Sequence, residues 1–563
     1  MSLPATIQTA VGQSMISRVT RLFNNSVQDV LTELLQNARR AGATRVDIDS
    51  FDLADQPTLV IRDNGTGIDD PAKLVTLGDS GWNQEIAHRE DPAGMGVFSL
   101  AGHRVQIRSF SQAANRGWRI VIAPDAWESG APLAIEPCSI TSGTEILIEM
   151  PEAWSAGLNA AVIKVAKFYP LPIHFRGEPC VRADFLADAR RVELWHGCRI
   201  GIFRDRNYRP TADYLINFHG LTVACAMPSV SEHGEDERWY ARIDIVDAPT
   251  LQLVLPARKE MVQNGALDGL REAVETAIYR TIAVVGSHRL AYEQWQRAGA
   301  LGVSLTESAP WLWGWSPGTA DSDGNSQDER VAGTVMVLMP EEEAHIEQCA
   351  GRILCEALPL GGVLVREVAG FEGYGWYDAL ARVSALSFSL ESEAGSYTYD
   401  AETVLPEGIE SGRVARIKLN VAVKSSRGAS GEDDSHSFPV DVLIAPDQGW
   451  YTDVDQTIIL LTCDSIITPH ELALLLEDAC FCASDDSGDD SWDTQHSYFE
   501  KRARHVANEL LLGEDTAILE RIRDVLLDEV SWLVPEGRSV TILAERGQMT
   551  LSYVSGAEAA LPA

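Results

Sequence analysis

The sequence predicts an α+β fold: two successive α/β regions followed by an acidic third region of mixed α and β character. Three observations predict it. A strongly helical stretch from about Val27 to Ala41 gives way to strand patterns closed by glycine turns. From Leu171 to about Ala298, strand patterns alternate with helical ones, the longest following Asn264. The pattern then breaks at a tryptophan cluster and a Pro-, Gly-, Ser- and acid-rich linker, SPGTADSDGNSQDER. The expected division is 1–153, 154–298, 299–330 and 331–563.

In the first helix Val30, Leu31, Leu34, Leu35 and Ala38 supply an apolar stripe for the core. Glu33 and Asn37 stand four residues apart and share another face, expected to look into a cleft or solvent. An Asn amide oxygen is a hard ligand suited to Mg²⁺ bridging phosphates, and a neighbouring carboxylate can take a proton from attacking water. On this helix alone, an ordinary surface pair is the simpler explanation.

The next motifs change that balance. Thr58 to Asp63 reads as a strand running into the turn Asp63-Asn-Gly65-Thr-Gly67. Asp63 at the strand end is placed to accept a hydrogen bond from an adenine amino group, with Gly65 and Gly67 leaving room for the ring. Gly94-Met-Gly96 precedes Val97 to Ala101, read as the first turn of a helix whose freed amides form a phosphate site. Residues 78–93, GDSGWNQEIAHREDPA, have the length and polarity of a lid. Gly143 and Thr144 open a strand from Thr144 to Met150. In this order the motifs describe an ATP site.

With the order established, the chain resembles the GHKL superfamily of gyrase B, heat-shock chaperone, histidine kinase and MutL ATPases. The run Glu33-LLQNARRAGATRVDIDS is similar to the MutL helix and following strand almost position by position, and Val60-IRDNGTGI continues it. The resemblance implies a Bergerat-fold α/β sandwich. It implies Glu33 as general base, Asn37 as Mg²⁺ ligand, Asp63 as adenine contact, and Gly65, Gly67, Gly94 and Gly96, with Val97, around the nucleotide. Thr144 would be a second adenine-side contact. One departure stands out: where related ATPases usually carry Asp before the Ala-Gly step, this chain has Arg40.

Histidine kinases usually have a second Asn four residues before the metal-binding one; here that residue is Glu33, which favours hydrolysis over transfer to histidine. No His precedes His88, and the string Pro469-His470-Glu471-Leu472 reads as a helix start rather than a phosphoacceptor.

Further on, Leu253-Val-Leu-Pro-Ala-Arg258-Lys259-Glu-Met-Val-Gln263-Asn264 resembles the catalytic loop of the chaperone middle domain, in a region similar to a middle or transducer domain. That resemblance gives Lys259 the basic role at the γ-phosphate, with Arg258 as competing candidate and Gln263 nearby. A cation supplied from a second domain would couple domain closure to hydrolysis. Lys in place of Arg keeps the charge but loses the bidentate fork, so slower turnover is expected.

Charge separates the two halves of the chain. Residues 1–300 hold 30 Lys and Arg against 36 Asp and Glu, a balance of −6, whereas 301–563 hold 16 against 46, a balance of −30. The acidic half should repel nucleic acid. Nine scattered cysteines include no zinc spacing and are expected to be reduced. No run reaches the ~20 apolar residues of a membrane helix, and the N-terminal MSLPATIQTAVGQSM lacks the pattern of a signal peptide. A cytoplasmic protein is expected, without a membrane partner.

In the third region strands are expected at Gly333–Leu338, Arg413–Val423, Val440–Ile444 and Thr457–Leu461. Helices are expected at Pro469–Phe481, about His496–Leu512 and Asp515–Leu533. Trp311, Trp313 and Trp315 are read as capping a core, and the acidic run Asp485 to Asp493 as a solvated loop rather than a Ca²⁺ site. The expected whole is an ATP- and Mg²⁺-dependent conformational clamp, chaperone-like, acting as a homodimer on a protein client. The alternatives are a DNA-associated ATPase of the MutL or MORC kind, in repair or phage defence, and a module that binds ATP without turnover.

Overall fold

The computed structural model describes residues 26–53, 55–76, 96–129, 132–206, 208, 214–254, 260–321, 329–355, 360–392, 395–425, 433–446, 454–484 and 490–554. Helix α1 (Val27–Arg40) begins where the Ser26 hydroxyl accepts the Asp29 N–H at 3.2 Å and donates to the Asp29 carboxylate at 2.7 Å. Its predicted stripe is buried: Val30, Leu31, Leu34, Leu35 and Ala38 all enter the core. Burying a leucine side chain fully contributes roughly 2 kcal/mol before chain entropy is counted.

The helix covers an eight-stranded sheet made of β1 (Val46–Leu53), β2 (Gln56–Asp63), β3 (Val105–Ser111), β4 (Arg116–Ile122), β5 (Glu136–Cys138), β6 (Thr144–Glu149), β7 (Ile173–Phe175) and β8 (Glu178–Pro179). The order is β5-β4-β3-β6-β2-β1-β7-β8, antiparallel throughout except for the β1–β7 pair. Sheet membership therefore continues past residue 153. Helix α2 (Glu152–Ala166) packs beside α1, and Leu158, Val162 and Tyr169 join Ile48 and Leu59 in the core between helices and sheet.

Strand alternation sends the other side chains to the opposite face of the sheet. There Glu136, Arg119, Arg108, Glu145, Arg62, Asp47 and His174 form one transverse row, each opposite the next. Glu145 sits between two guanidinium groups, 2.5 Å from Arg62 and 2.8 Å from Arg108.

A second sheet holds β9 (Arg191–Trp195), β10 (Cys198–Asp205), β11 (Ile216–Phe218), β12 (Leu221–Val223), β13 (Val230–Ser231) and β14 (Arg238–Ile245), in the order β12-β11-β14-β10-β9 with β13 on β14. Helix α3 (Gly265–Val285) lies over it, started by the Asn264 side chain on the Leu267 N–H and stopped by Gly286 at φ +83°. The expected strand Leu251–Leu255 is corrected: residues 251–254 make one bridge, Leu253 to Met261, flanked by the Val254 N–H on the Glu260 carbonyl and the Val262 N–H on the Gln252 carbonyl, while the Leu251 N–H turns back onto the Ala248 carbonyl. Leu255 lies outside the described residues.

These sheets belong to one compact unit, Met1–Ser308; a second unit spans Ala309–Ala563. In the second, β15 (Trp311–Trp313) pairs with β16 (Arg330–Ala332). Arg330 lies over the rings of Trp311 and Trp313, and Trp315 packs against the unit's core. Strands β17 (Met336–Met339), β18 (Val363–Arg366), β19 (Ala381–Ser392), β20 (Gly395–Tyr399), β22 (Arg416–Lys424) and β23 (Asp434–Val440) form a mixed sheet. A smaller one contains β21 (Gly412–Val414), β24 (Val442–Ala445) and β25 (Ile458–Thr462). The single strand expected over Arg413–Val423 is thus divided: the Ala415 N–H donates to the Glu391 carbonyl, and β21 and β22 enter different sheets.

Helices α5 (Ala344–Leu354), α6 (Pro469–Cys480) and α7 (Trp492–Leu512) contribute buried residues to this core. Thr468 and Glu471 form a capping box with Pro469 in the first turn, so His470 sits at a helix start, as expected. Helix α7 begins earlier than expected, capped by Ser491. Helix α8 (Glu514–Val525) ends before the expected Leu533, passing through one wide turn, Leu526–Val530, and one tight turn, Ser531–Leu533. A hairpin, β26 (Val540–Glu545) and β27 (Gln548–Tyr553), has no counterpart in the sequence-based expectation. No described helix is long and apolar enough to cross a membrane.

Candidate functional site

On α1, Glu33, Asn37 and Arg40 fall at i, i+4 and i+7 and so share one stripe. Glu33 is 7% exposed, so of the cleft or solvent expected for this face it does not meet open solvent; Asn37 is half-buried. Arg40 donates from a terminal nitrogen to Asn37 Oδ1 at 3.3 Å. The oxygen expected to bind metal is therefore the one that Arg40 holds. The tight turn Gly96–Leu100 packs on α1, bringing Gly96 and Val97 to the helix, although as a 3₁₀ turn rather than the first turn of an α-helix. Val97 is half-buried against the core. Gly94 and the expected lid lie outside the described residues, as do Asp485 to Asp489 of the acidic run.

The C-terminal end of α1 is fastened to the turn after β2. The Thr66 N–H donates to the Ala41 carbonyl at 2.9 Å, and Gly65 lies so close that a Cβ there would come within 2.7 Å of that oxygen. Asp63 closes β2 directly opposite Thr144, the first residue of β6, and Thr144 is in turn opposite Ser109 of β3. The Ser109 and Thr144 hydroxyls are 2.9 Å apart. Asp63 Oδ1 accepts the Gly65 N–H at 2.8 Å. Burial pushes the Asp63 carboxyl up to about 6, against the pull of the Gly65 and Thr144 N–H groups, which favour the ionised form.

The glycines of these turns stand against backbone. Gly67, at φ +78°, would place a Cβ 2.1 Å from the Phe110 carbonyl oxygen, and Gly143, at φ +66°, would place one 1.9 Å from that of Asp63. With Gly65 against Ala41, all three allow one backbone segment to approach another. They close the turns around Asp63.

Arg258 and Lys259 lie outside the described residues. Gln263 is held within its own loop: Nε2 donates to the Met261 carbonyl at 3.2 Å and Oε1 accepts from Arg271 at 2.9 Å. Three participants were not singled out from sequence. Ser109 depends on strand register, which no local pattern reveals. Gln36 and Tyr169 tie α1 to its surroundings, through Gln36 Nε2 on the His219 carbonyl at 2.9 Å and the Tyr169 hydroxyl on the Leu35 carbonyl at 2.5 Å.

Among the described residues no group of three His, Cys, Asp or Glu side chains is arranged to hold a metal ion. A magnesium ion carried in with phosphates would call for fewer protein ligands than such a group. Such an ion needs one or two protein oxygens and keeps phosphate and water for the rest, and Asn37 Oδ1 is the oxygen that would be offered once Arg40 released it.

No family model matches the chain, and no curated protein matches it. Among solved structures it is similar to the crystal structure of the N-terminal domain of a DNA repair protein, at 12% identity over 38% of this chain and 80% of that one, with a TM-score of 0.25.

Proposed function

We propose that the first compact unit is a Bergerat-type nucleotide-binding module of the GHKL superfamily that hydrolyses ATP with Mg²⁺, as the motor of a chaperone-like conformational clamp. One observation carries this: the stripe with Glu33 and Asn37 ends at Ala41, whose carbonyl holds the turn that follows Asp63, while Asp63 stands opposite Thr144. A helix-borne carboxylate and amide are thereby joined to a half-buried acceptor on a neighbouring strand. Asp63 and Thr144 would take the adenine edge. Asn37 would present its amide oxygen towards the phosphates, where bound Mg²⁺ would supply charge neutralisation. Glu33, under cover beside Asn37, would draw the proton from the attacking water.

Lys259, or Arg258 beside it, is the cation proposed to reach the γ-phosphate from the second α/β region, and Gln263 would have to leave Arg271 to join it. The acidity of residues 301–563 favours a protein client over nucleic acid. The test is steady-state ATP hydrolysis by wild type and Glu33→Ala, with light scattering in the presence and absence of a non-hydrolysable ATP analogue. Loss of turnover in the variant, with nucleotide-dependent dimer formation, supports the clamp. Tight binding without turnover in wild type would make the nucleotide a structural ligand.

A further inference from the structure

Arg40 shares the helix stripe of Glu33 and Asn37, and the inference drawn from it rests on the nucleotide-binding role proposed for this unit. Arg40 lies in the last turn of α1, on the stripe of Glu33 and Asn37, and donates to Asn37 Oδ1. Ala41, the next residue, is fastened to the turn after Asp63. Arg40 is therefore bonded to the amide proposed for the metal and is next in sequence to the residue that holds the turn after Asp63.

The electrostatics of that place call for a cation. Anions commonly bind at helix N-termini, where free N–H groups and the positive end of the dipole meet them. Phosphates reaching Asn37 instead approach the last turn of α1, whose carbonyl end carries partial negative charge. An acidic residue at position 40 would add to that repulsion and leave its neutralisation to metal. A guanidinium offsets it and offers several donors in a planar fork suited to phosphate oxygens.

We propose that Arg40 is a phosphate-positioning residue and a second, protein-borne cation of the site. With no nucleotide bound it holds Asn37 Oδ1. When Mg–nucleotide binds, it yields that oxygen to the metal and turns its donors to a phosphate. Because part of the phosphate charge is then met by the chain itself, nucleotide di- and triphosphates bind with weak dependence on divalent metal.

The experiment measures the affinity of ATP, ADP and adenosine for the full chain in excess Mg²⁺ and in excess EDTA, for wild type, Arg40→Ala and Arg40→Lys. Wild type should retain ATP binding in EDTA. Arg40→Ala should weaken ATP and ADP in EDTA by about 10- to 100-fold, the scale of charge-assisted hydrogen bonds, while adenosine binds as in wild type. Arg40→Lys should recover part of the loss. Equal ATP affinity for wild type and Arg40→Ala in EDTA overturns the proposal, and so does a parallel loss of adenosine binding, which would mark Arg40 as a structural support for Asn37. Wild type that binds adenosine and Mg–ATP but no ATP in EDTA also overturns it, leaving the nucleotide site intact. Wild type that binds none of the three removes both the proposal and the site on which it rests.

Discussion

Asp63 on β2 and Thr144 on β6 face each other across the sheet although 80 residues of chain separate them, and the Gly65 N–H holds one Asp63 oxygen at 2.8 Å. The side chain is thus fixed in place while its carboxyl, raised by burial, ionises only at about pH 6.

That ionisation gives two measurable effects of opposite sign. If the carboxylate accepts the adenine amino group, ATP affinity should be full above pH 6 and fall as the pH drops through about 6. Titrating affinity between pH 5 and 8 checks this; a flat profile would remove Asp63 from base recognition.

Stability should run the other way. The folded carboxyl has the higher pKa, so between about pH 4 and 6 the folded state keeps a proton that the unfolded state has lost, and stability declines as pH rises through that window. Asp63→Asn, which has no charge to bury, should abolish ATP binding. Above pH 6 it should also be more stable than wild type by up to about 3 kcal/mol and unfold at a higher temperature, with the advantage gone near pH 4. Thermal unfolding at the two pH values decides it.

Glu33→Ala should retain ATP and lose hydrolysis by roughly 10²- to 10⁴-fold, the scale of removing a general base. Normal turnover in the variant would exclude Glu33 as the base. Nucleotide binding measured in parallel separates lost chemistry from lost folding.

Gly67→Ala combines a left-handed backbone with a Cβ driven into the Phe110 carbonyl. It should cost more than about 2 kcal/mol of stability, and urea unfolding would measure the loss. Gly42→Ala, also at positive φ but with no atom near the added Cβ, should cost less and serves as the comparison.

Glu145→Gln should lower stability by about 1 kcal/mol, because it removes one carboxylate shared by two partly exposed arginines. The difference should shrink in 1 M salt.

The parts legible in the sequence are those fixed by local period. The apolar stripe of α1, the Glu33–Asn37 spacing, the end of β2 at Asp63 and the capped start of α6 all follow from residues within a few positions of one another. Pairing between distant segments is not written that way: that Asp63 meets Thr144, or that Ser109 completes the row, depends on strand order and register. The glycines illustrate a second limit. Their presence signals close approach, but only the three-dimensional arrangement tells whether the approaching atoms belong to a ligand or to the chain, and here they belong to Ala41, Phe110 and Asp63. Arg40 was visible as an odd residue; its hold on Asn37 was not. The hairpin at 540–553 went unread although its strands alternate, because β26 and β27 are exposed along nearly their whole length and carry no buried run to announce them.

Gln36 sits between Glu33 and Asn37 in sequence yet reaches the His219 carbonyl in the tight turn between β11 and β12, where His219 and Gly220 both have positive φ. The backbone of that turn and the helix bearing Glu33 and Asn37 thus share a single buried hydrogen bond. Any molecule that binds Asn37 more strongly in one position of α1 than in another must also favour one geometry of the turn. By reciprocity, strain in the β11–β12 turn that moves α1 would change the affinity of the nucleotide proposed to bind at Asn37 by the same factor with which that nucleotide biases the turn. A load applied to the second sheet would therefore be read at the first as a change in dissociation constant, without any group of the second sheet touching the bound molecule.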